Sequence, residues 1–167
     1  AIKSKCDLAK VPLRVPDFTG ISLKSSDIFG SVFSYGDKKN LKIKLVGEYQ
    51  MKNAVVAVSA IEELCKCGIN VPAESLLAGL ADASWAGRFE LLGNNPVFIS
   101  DGAHNPHGMN AAVSNIKSLF AGQRIAIIRG VMADKDCPQM LHLIKDVTAQ
   151  LPAVTPDSPR ALPAASS

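Results

Sequence analysis

The sequence predicts an α/β fold with a parallel sheet. Two observations carry that prediction. The apolar run Pro96–Ser100 and the run Arg124–Arg129 are each followed by an amphipathic helical pattern, 106–120 and 138–150. Alternation of short strand and helix is the pattern of βαβ units, whose crossovers are right-handed. A third observation places chemistry on the frame. Asp101-Gly102-Ala103-His104-Asn105-Pro106-His107-Gly108 sits directly between the first strand and its helix. A carboxylate and an imidazole therefore lie at the carboxyl end of a strand and the amino end of a helix, where α/β folds bind ligands.

In chain order, residues 1–30 read as irregular, because Pro12, Pro16, Gly20 and Gly30 break short apolar pieces. Ser31–Tyr35 and Leu41–Val46 read as strands joined by the loop Gly36–Asn40, a hairpin pattern. Lys42 and Lys44 alternate with Leu41, Ile43 and Leu45, as in a half-buried strand. Gln50–Cys67 reads as a helix with Met51, Ala54, Val55, Val58, Ile61 and Leu64 on its inner face. Gly68 is placed to end it in a left-handed C-cap. Pro72 opens a shorter helix through about Ala81. Ala83–Glu90 then breaks the pattern and reads as a linker.

Beyond it, Asn105 is a good N-cap with Pro106 at the first helical position, and Met109, Ala112, Val113, Ile116, Leu119 and Phe120 share one face. The second helix turns Met140, Ile144 and Val147 inward, and Asp136 is positioned to cap it. The Pro- and Ser-rich tail from Pro152 reads either as a broken strand or as disorder.

Composition narrows the class. The chain is 47% hydrophobic and 20% charged but only 5% aromatic, so its core must be mostly aliphatic. No apolar run is long enough to span a membrane. The first 52 residues hold ten of the 18 Lys and Arg against five acids, and the remainder is slightly acidic. That basic third reads as solvated strand faces, since no aromatic residues interleave it as base-stacking would require, and no nucleic-acid partner is expected. Cys6, Cys65, Cys67 and Cys137 lack the paired spacing of a zinc site and read as reduced, partly buried thiols; no metal site is expected among them. Ala1 in place of a starting Met fits an internal fragment or a processed chain, and a cytoplasmic location is expected.

Four segments occur in a fixed order: Gly47-Glu48-Tyr49-Gln50-Met51-Lys52-Asn53-Ala54, Trp85-Ala86-Gly87-Arg88-Phe89-Glu90, Asp101-Gly102-Ala103-His104-Asn105-Pro106 and Gly130-Val131-Met132-Ala133-Asp134-Lys135-Asp136. The tail Thr155–Ala161 extends the series. Together they resemble the folylpolyglutamate synthase / dihydrofolate synthase family of the Mur ligase superfamily. The resemblance implies an ATP-dependent ligase that joins glutamate to a folate or to dihydropteroate through an acyl phosphate. It implies that residues 1–84 are the last strands and helices of a P-loop-type ATPase domain, and that 85–167 are a Rossmann-like C-terminal domain with a parallel sheet.

It also implies roles. Arg88 would reach ATP phosphate, which suits a bidentate guanidinium; the alternative is an ion pair with Glu90. Asp101 would bind the nucleotide, with turn capping as the alternative. His104 would stand near the nucleotide and the incoming glutamate, or else make one backbone bond. Asn53 would lie beside adenine, or satisfy its own helix backbone. Lys135 is a possible contact for glutamate, and Trp85 is expected to pack rather than stack on a ligand. His107 and His142 carry no expected role.

The chain departs from the family at Tyr49, where His is usual, and at Ala86, where Pro is usual. It contains no G-x-x-x-x-G-K-[ST] phosphate loop. The family's Mg2+ ligands and folate loop would lie upstream, so the piece is expected to be inactive without its N-terminal part. Within the superfamily a Mur-type cell-wall amino-acid ligase is the alternative, and a non-catalytic α/β module is a third reading.

Overall fold

The computed structural model describes residues 1–166, which fall into two compact units. The first comprises residues 1–26, 30–44 and 48–83; the second comprises 27–29, 45–47 and 84 onward.

The first unit is more regular at its start than the sequence suggests. In place of an irregular stretch, it forms α1 (Ile2–Ala9), a single 3-10 turn at Phe18–Gly20 and β1 (Ile21–Asp27). Only period-2 side-chain alternation was available to flag β1, and it is weak because six of its seven residues are exposed. β1 is hydrogen-bonded to β2 (Gly30–Tyr35), which pairs antiparallel with β3 (Lys38–Ile43). The expected hairpin is present, but Tyr35 already pairs with Lys38, so its turn is two residues rather than five. Gly36 supplies the positive φ that such a turn needs. The surplus residue is absorbed as a bulge between Phe33 and Tyr35, where Asn40 takes φ 55°.

α2 (Glu48–Lys66) and α3 (Ala73–Asp82) complete this unit. α2 buries Met51, Ala54, Val55 and Val58 against Phe33, Leu41, Ile43 and Leu80. Ile61 is only half-buried and Leu64 is exposed, so the inner face ends a turn earlier than its periodicity predicts. The C-cap is as expected: with Gly68 at φ 90°, Gly68 N–H donates to the Cys65 carbonyl and Ile69 N–H to that of Leu64. These two bonds define a Schellman motif.

In the second unit, part of the expected linker is strand. β4 (Glu90–Asn94) pairs antiparallel with β5 (Val97–Ser100) across a tight turn at Asn95-Pro96. α4 (Pro106–Leu119) and α5 (Cys137–Ile144) follow, the latter shorter than the 138–150 pattern. Parallel pairing occurs as two bridges, Ala126 with Gln150 and Arg129 with Ala153. The parallel partner of the 124–129 segment is thus the tail, which settles the choice between strand and disorder up to Val154. Pro152 has no N–H to offer, which keeps the pairing to bridges rather than a continuous ladder. Val131, Cys137 and Met140 form the buried centre, with Met109, Leu141 and Leu162 against it. Arg129 is also buried, 8% exposed; its Nη2 donates to Cys137 Sγ at 3.0 Å and its Nη1 has no hydrogen-bond partner among the described residues. All four cysteines are free, though Cys65 and Cys67 are exposed rather than partly buried.

Candidate nucleotide-facing turn

The second unit places three of the four predicted site residues in one small structure. Trp85-Ala86-Gly87-Arg88 is a β-turn, with Arg88 N–H donating to the Trp85 carbonyl at 3.3 Å. Gly87, at its third position, has φ 67°, the conformation that makes glycine the favoured residue in a type II turn. Two contacts fasten this turn to the loop after β5. Gly102 N–H donates to the Gly87 carbonyl at 2.7 Å, and Phe89 N–H donates to Asp101 Oδ2 at 2.8 Å. Arg88 therefore sits between two residues that are each bonded to the Asp101–Gly102 peptide region.

Asp101 uses its other oxygen to accept from Ala103 N–H at 2.8 Å, an Asx turn. The turn-capping alternative thus holds, and each carboxylate oxygen keeps a further lone pair. His104 Nδ1 lies 2.9 Å from the Gly102 carbonyl. A carbonyl only accepts, so Nδ1 bears the proton in this contact, and Nε2 makes no hydrogen bond among the described residues. Asn105 caps α4 as predicted: its Oδ1 accepts from Gly108 N–H at 2.8 Å, with Pro106 first in the helix.

Arg88 is exposed, and its guanidinium makes no ion pair among the described residues. The expected alternative, a pair with Glu90, is not formed. The Glu90 carboxylate instead accepts from Gly87 N–H at 2.7 Å. Sequence reasoning did not assign Glu90 this role, although the signal was present. A Glu three residues after a turn position reaches back to its amide, as in a capping box. Trp85, expected to pack, is 69% exposed.

Asn53 belongs to the first unit. It is exposed on α2, and its Nδ2 donates to Gln50 Oε1 at 3.0 Å. Gln50, the acceptor in this bond, is buried. In the Asp134-Lys135-Asp136 segment, Asp136 caps α5 by accepting from Gln139 N–H at 3.0 Å. Lys135 Nζ is 2.9 Å from Asp134, and Arg160 Nη2 donates to both Asp134 oxygens. Hydrogen bonds from Lys135, then Arg160, hold the Asp134 carboxyl down at about 2.

A free guanidinium fixed at its base beside a carboxylate, an imidazole and a helix N-terminus is suited to an anionic ligand. The comparisons agree on the class. Residues 87–167 match the model of the Mur ligase glutamate ligase domain. Within that class, the chain belongs to the folylpolyglutamate synthase / dihydrofolate synthase family. It is 34% identical to the folylpolyglutamate synthase of Lacticaseibacillus casei over 82% of this chain and 33% of that one. The crystal structure of the Thermotoga maritima folylpolyglutamate synthase superposes with a TM-score of 0.79 at 27% identity, covering 95% of this chain and 38% of that one. A folylpolyglutamate synthase complex with AMPPCP and folate also superposes at 0.79, with 27% identity over 94% of this chain and 40% of that one. The chain spans about a third of the length of the curated relatives it matches.

Proposed function

We propose that this chain is part of an ATP-dependent ligase that adds L-glutamate to a folate, to dihydropteroate, or to both. In the reaction, the substrate carboxylate takes the γ-phosphoryl group and releases ADP. The glutamate amine then attacks the acyl carbon and expels phosphate. The observation that carries this reading is the clamp between the Arg88 turn and the Asp101 loop, beside a guanidinium that makes no ion pair among the described residues. An Arg–phosphate contact can be bidentate and is among the stronger hydrogen-bonded pairs.

In this reading Arg88 binds nucleotide phosphate, and Asp101 offers its remaining lone pairs to the nucleotide. His104 presents Nε2 toward the reacting groups, and Asn53 reads adenine. Residues 1–84 are the last part of the ATPase domain, and 85–167 belong to the C-terminal ligase domain. Mg2+ is assigned mainly to ligands upstream of this chain, as the resemblance to the family implies. Among the described residues no helix is long and apolar enough to cross a membrane.

The test joins residues 1–167 behind the first two thirds of the Lacticaseibacillus casei folylpolyglutamate synthase. Phosphate release is then followed with ATP, glutamate and one acceptor at a time. Release that needs glutamate and tetrahydrofolate or dihydropteroate, and falls roughly a hundredfold or more on Arg88→Ala, is expected from loss of a charge-assisted phosphate contact. A folded fusion that releases no phosphate in response to glutamate and either acceptor would contradict the ligase reading. Full activity in the Arg88→Ala fusion would remove the turn from the reaction.

A further inference from the structure

Two carboxylates, Glu90 and Asp101, lie in the structure that carries Arg88, and either is chemically able to pair with it. Neither does. Glu90 Oε2 accepts from Gly87 N–H at 2.7 Å, and Asp101 Oδ2 accepts from Phe89 N–H at 2.8 Å. The residues flanking Arg88 both have positive φ, Gly87 at 67° and Phe89 at 48°. For a non-glycine residue that conformation is strained, and it persists only where surrounding contacts over-determine it. Here the Phe89 side chain is buried, 4% exposed, and its amide is held by Asp101. On the other flank, Gly87 is held on both sides, by Glu90 at its N–H and by Gly102 at its carbonyl.

We propose that Glu90 is a positioning residue for Arg88: by accepting the Gly87 N–H it locks the turn and keeps its own charge off the guanidinium. This rests on the reading of Arg88 as a phosphate contact. The required chemistry is an acceptor oxygen rather than a negative charge, so Gln replaces Glu and Ala does not.

The experiment uses this chain, 15N-labelled, joined behind the unlabelled first two thirds of the Lacticaseibacillus casei folylpolyglutamate synthase, as wild type, Glu90→Ala, Glu90→Gln and Arg88→Ala. Amide exchange at Gly87 and the shift of the Arg88 Nε–H on titration with millimolar ATP are both read by NMR. In Glu90→Ala, Gly87 exchange is expected to rise by roughly tenfold and ATP affinity at Arg88 to fall by a similar factor, the worth of about one hydrogen bond. Glu90→Gln should stay within about twofold of wild type on both, since the amide carbonyl still accepts.

A Glu90→Ala chain that matches wild type in both readouts overturns the proposal, and so does a Glu90→Gln chain that fails as Glu90→Ala does. A wild-type chain in which ATP leaves the Arg88 signal unmoved, as in a chain whose ATP shifts elsewhere survive Arg88→Ala, overturns the functional reading first and the positioning role with it. Thermal unfolding of each variant separates these outcomes from loss of fold.

Discussion

Asp134 shows how a residue in a recognisable motif acquires a role that spacing alone does not give. The Asp-Lys-Asp triplet was legible in the sequence, and so was the capping role of Asp136. The partner Arg160, 26 positions away, was not, because no local period relates them. With Lys135 and Arg160 bonded to it, the Asp134 carboxyl falls from 3.8 to about 2. A folded-state value below the unfolded one means this contact stabilises the closed tail above about pH 4 and is lost as pH falls toward 2. The same argument predicts a lower protection factor at Ala133, whose N–H donates to the Arg160 carbonyl, as pH falls through that window. Asp134→Asn should remove this pH dependence; an unchanged exchange profile in that variant would contradict the assignment. Arg88, Asp101 and His104 were legible as a group because they stand in ordered motifs, whereas Glu90 was hidden because its bond is to a backbone amide.

Among elements, helices were read more accurately than strands. α2 and α4 were legible from a 3.6-residue apolar period with caps at Gly68 and Asn105. β4 was not, because it is only five residues long and begins at Glu90, the last residue of the Ala83–Glu90 break. Tertiary pairing with β5 decided it. The first hairpin shows the same principle at one atom. Gly30 has φ 136°, and a Cβ there would collide with the Ile43 carbonyl oxygen, in backbone rather than in a flexible side chain. Gly30→Ala is therefore expected to strain β2 away from β3 and to destabilise the first unit by about 2 kcal/mol or more. Chemical denaturation measures this directly; a change within about 0.5 kcal/mol, the usual range of a neutral surface substitution, would mean the strands separate without penalty.

For the whole molecule, the sequence made the α/β class legible through its alternating runs. The two compact units are interleaved along the chain, residues 27–29 and 45–47 grouping with the stretch from Ser84 onward, and no sequence signal marked those short returns. The tail was not legible, since Pro152 and the Ser-rich end mimic disorder, yet Gln150 and Ala153 pair with Ala126 and Arg129. The proposed function rests on Arg88 of the second unit as a phosphate contact for a nucleotide whose remaining ligands lie elsewhere. Calorimetric titration of ATP into the fusion with the Lacticaseibacillus casei N-terminal part, comparing wild type with Arg88→Ala and Asp101→Ala, tests that claim most directly. The account predicts binding that requires both parts and weakens by roughly tenfold or more with either substitution. Equal affinity in all three folded proteins would contradict it and leave the Arg88 turn a structural clasp.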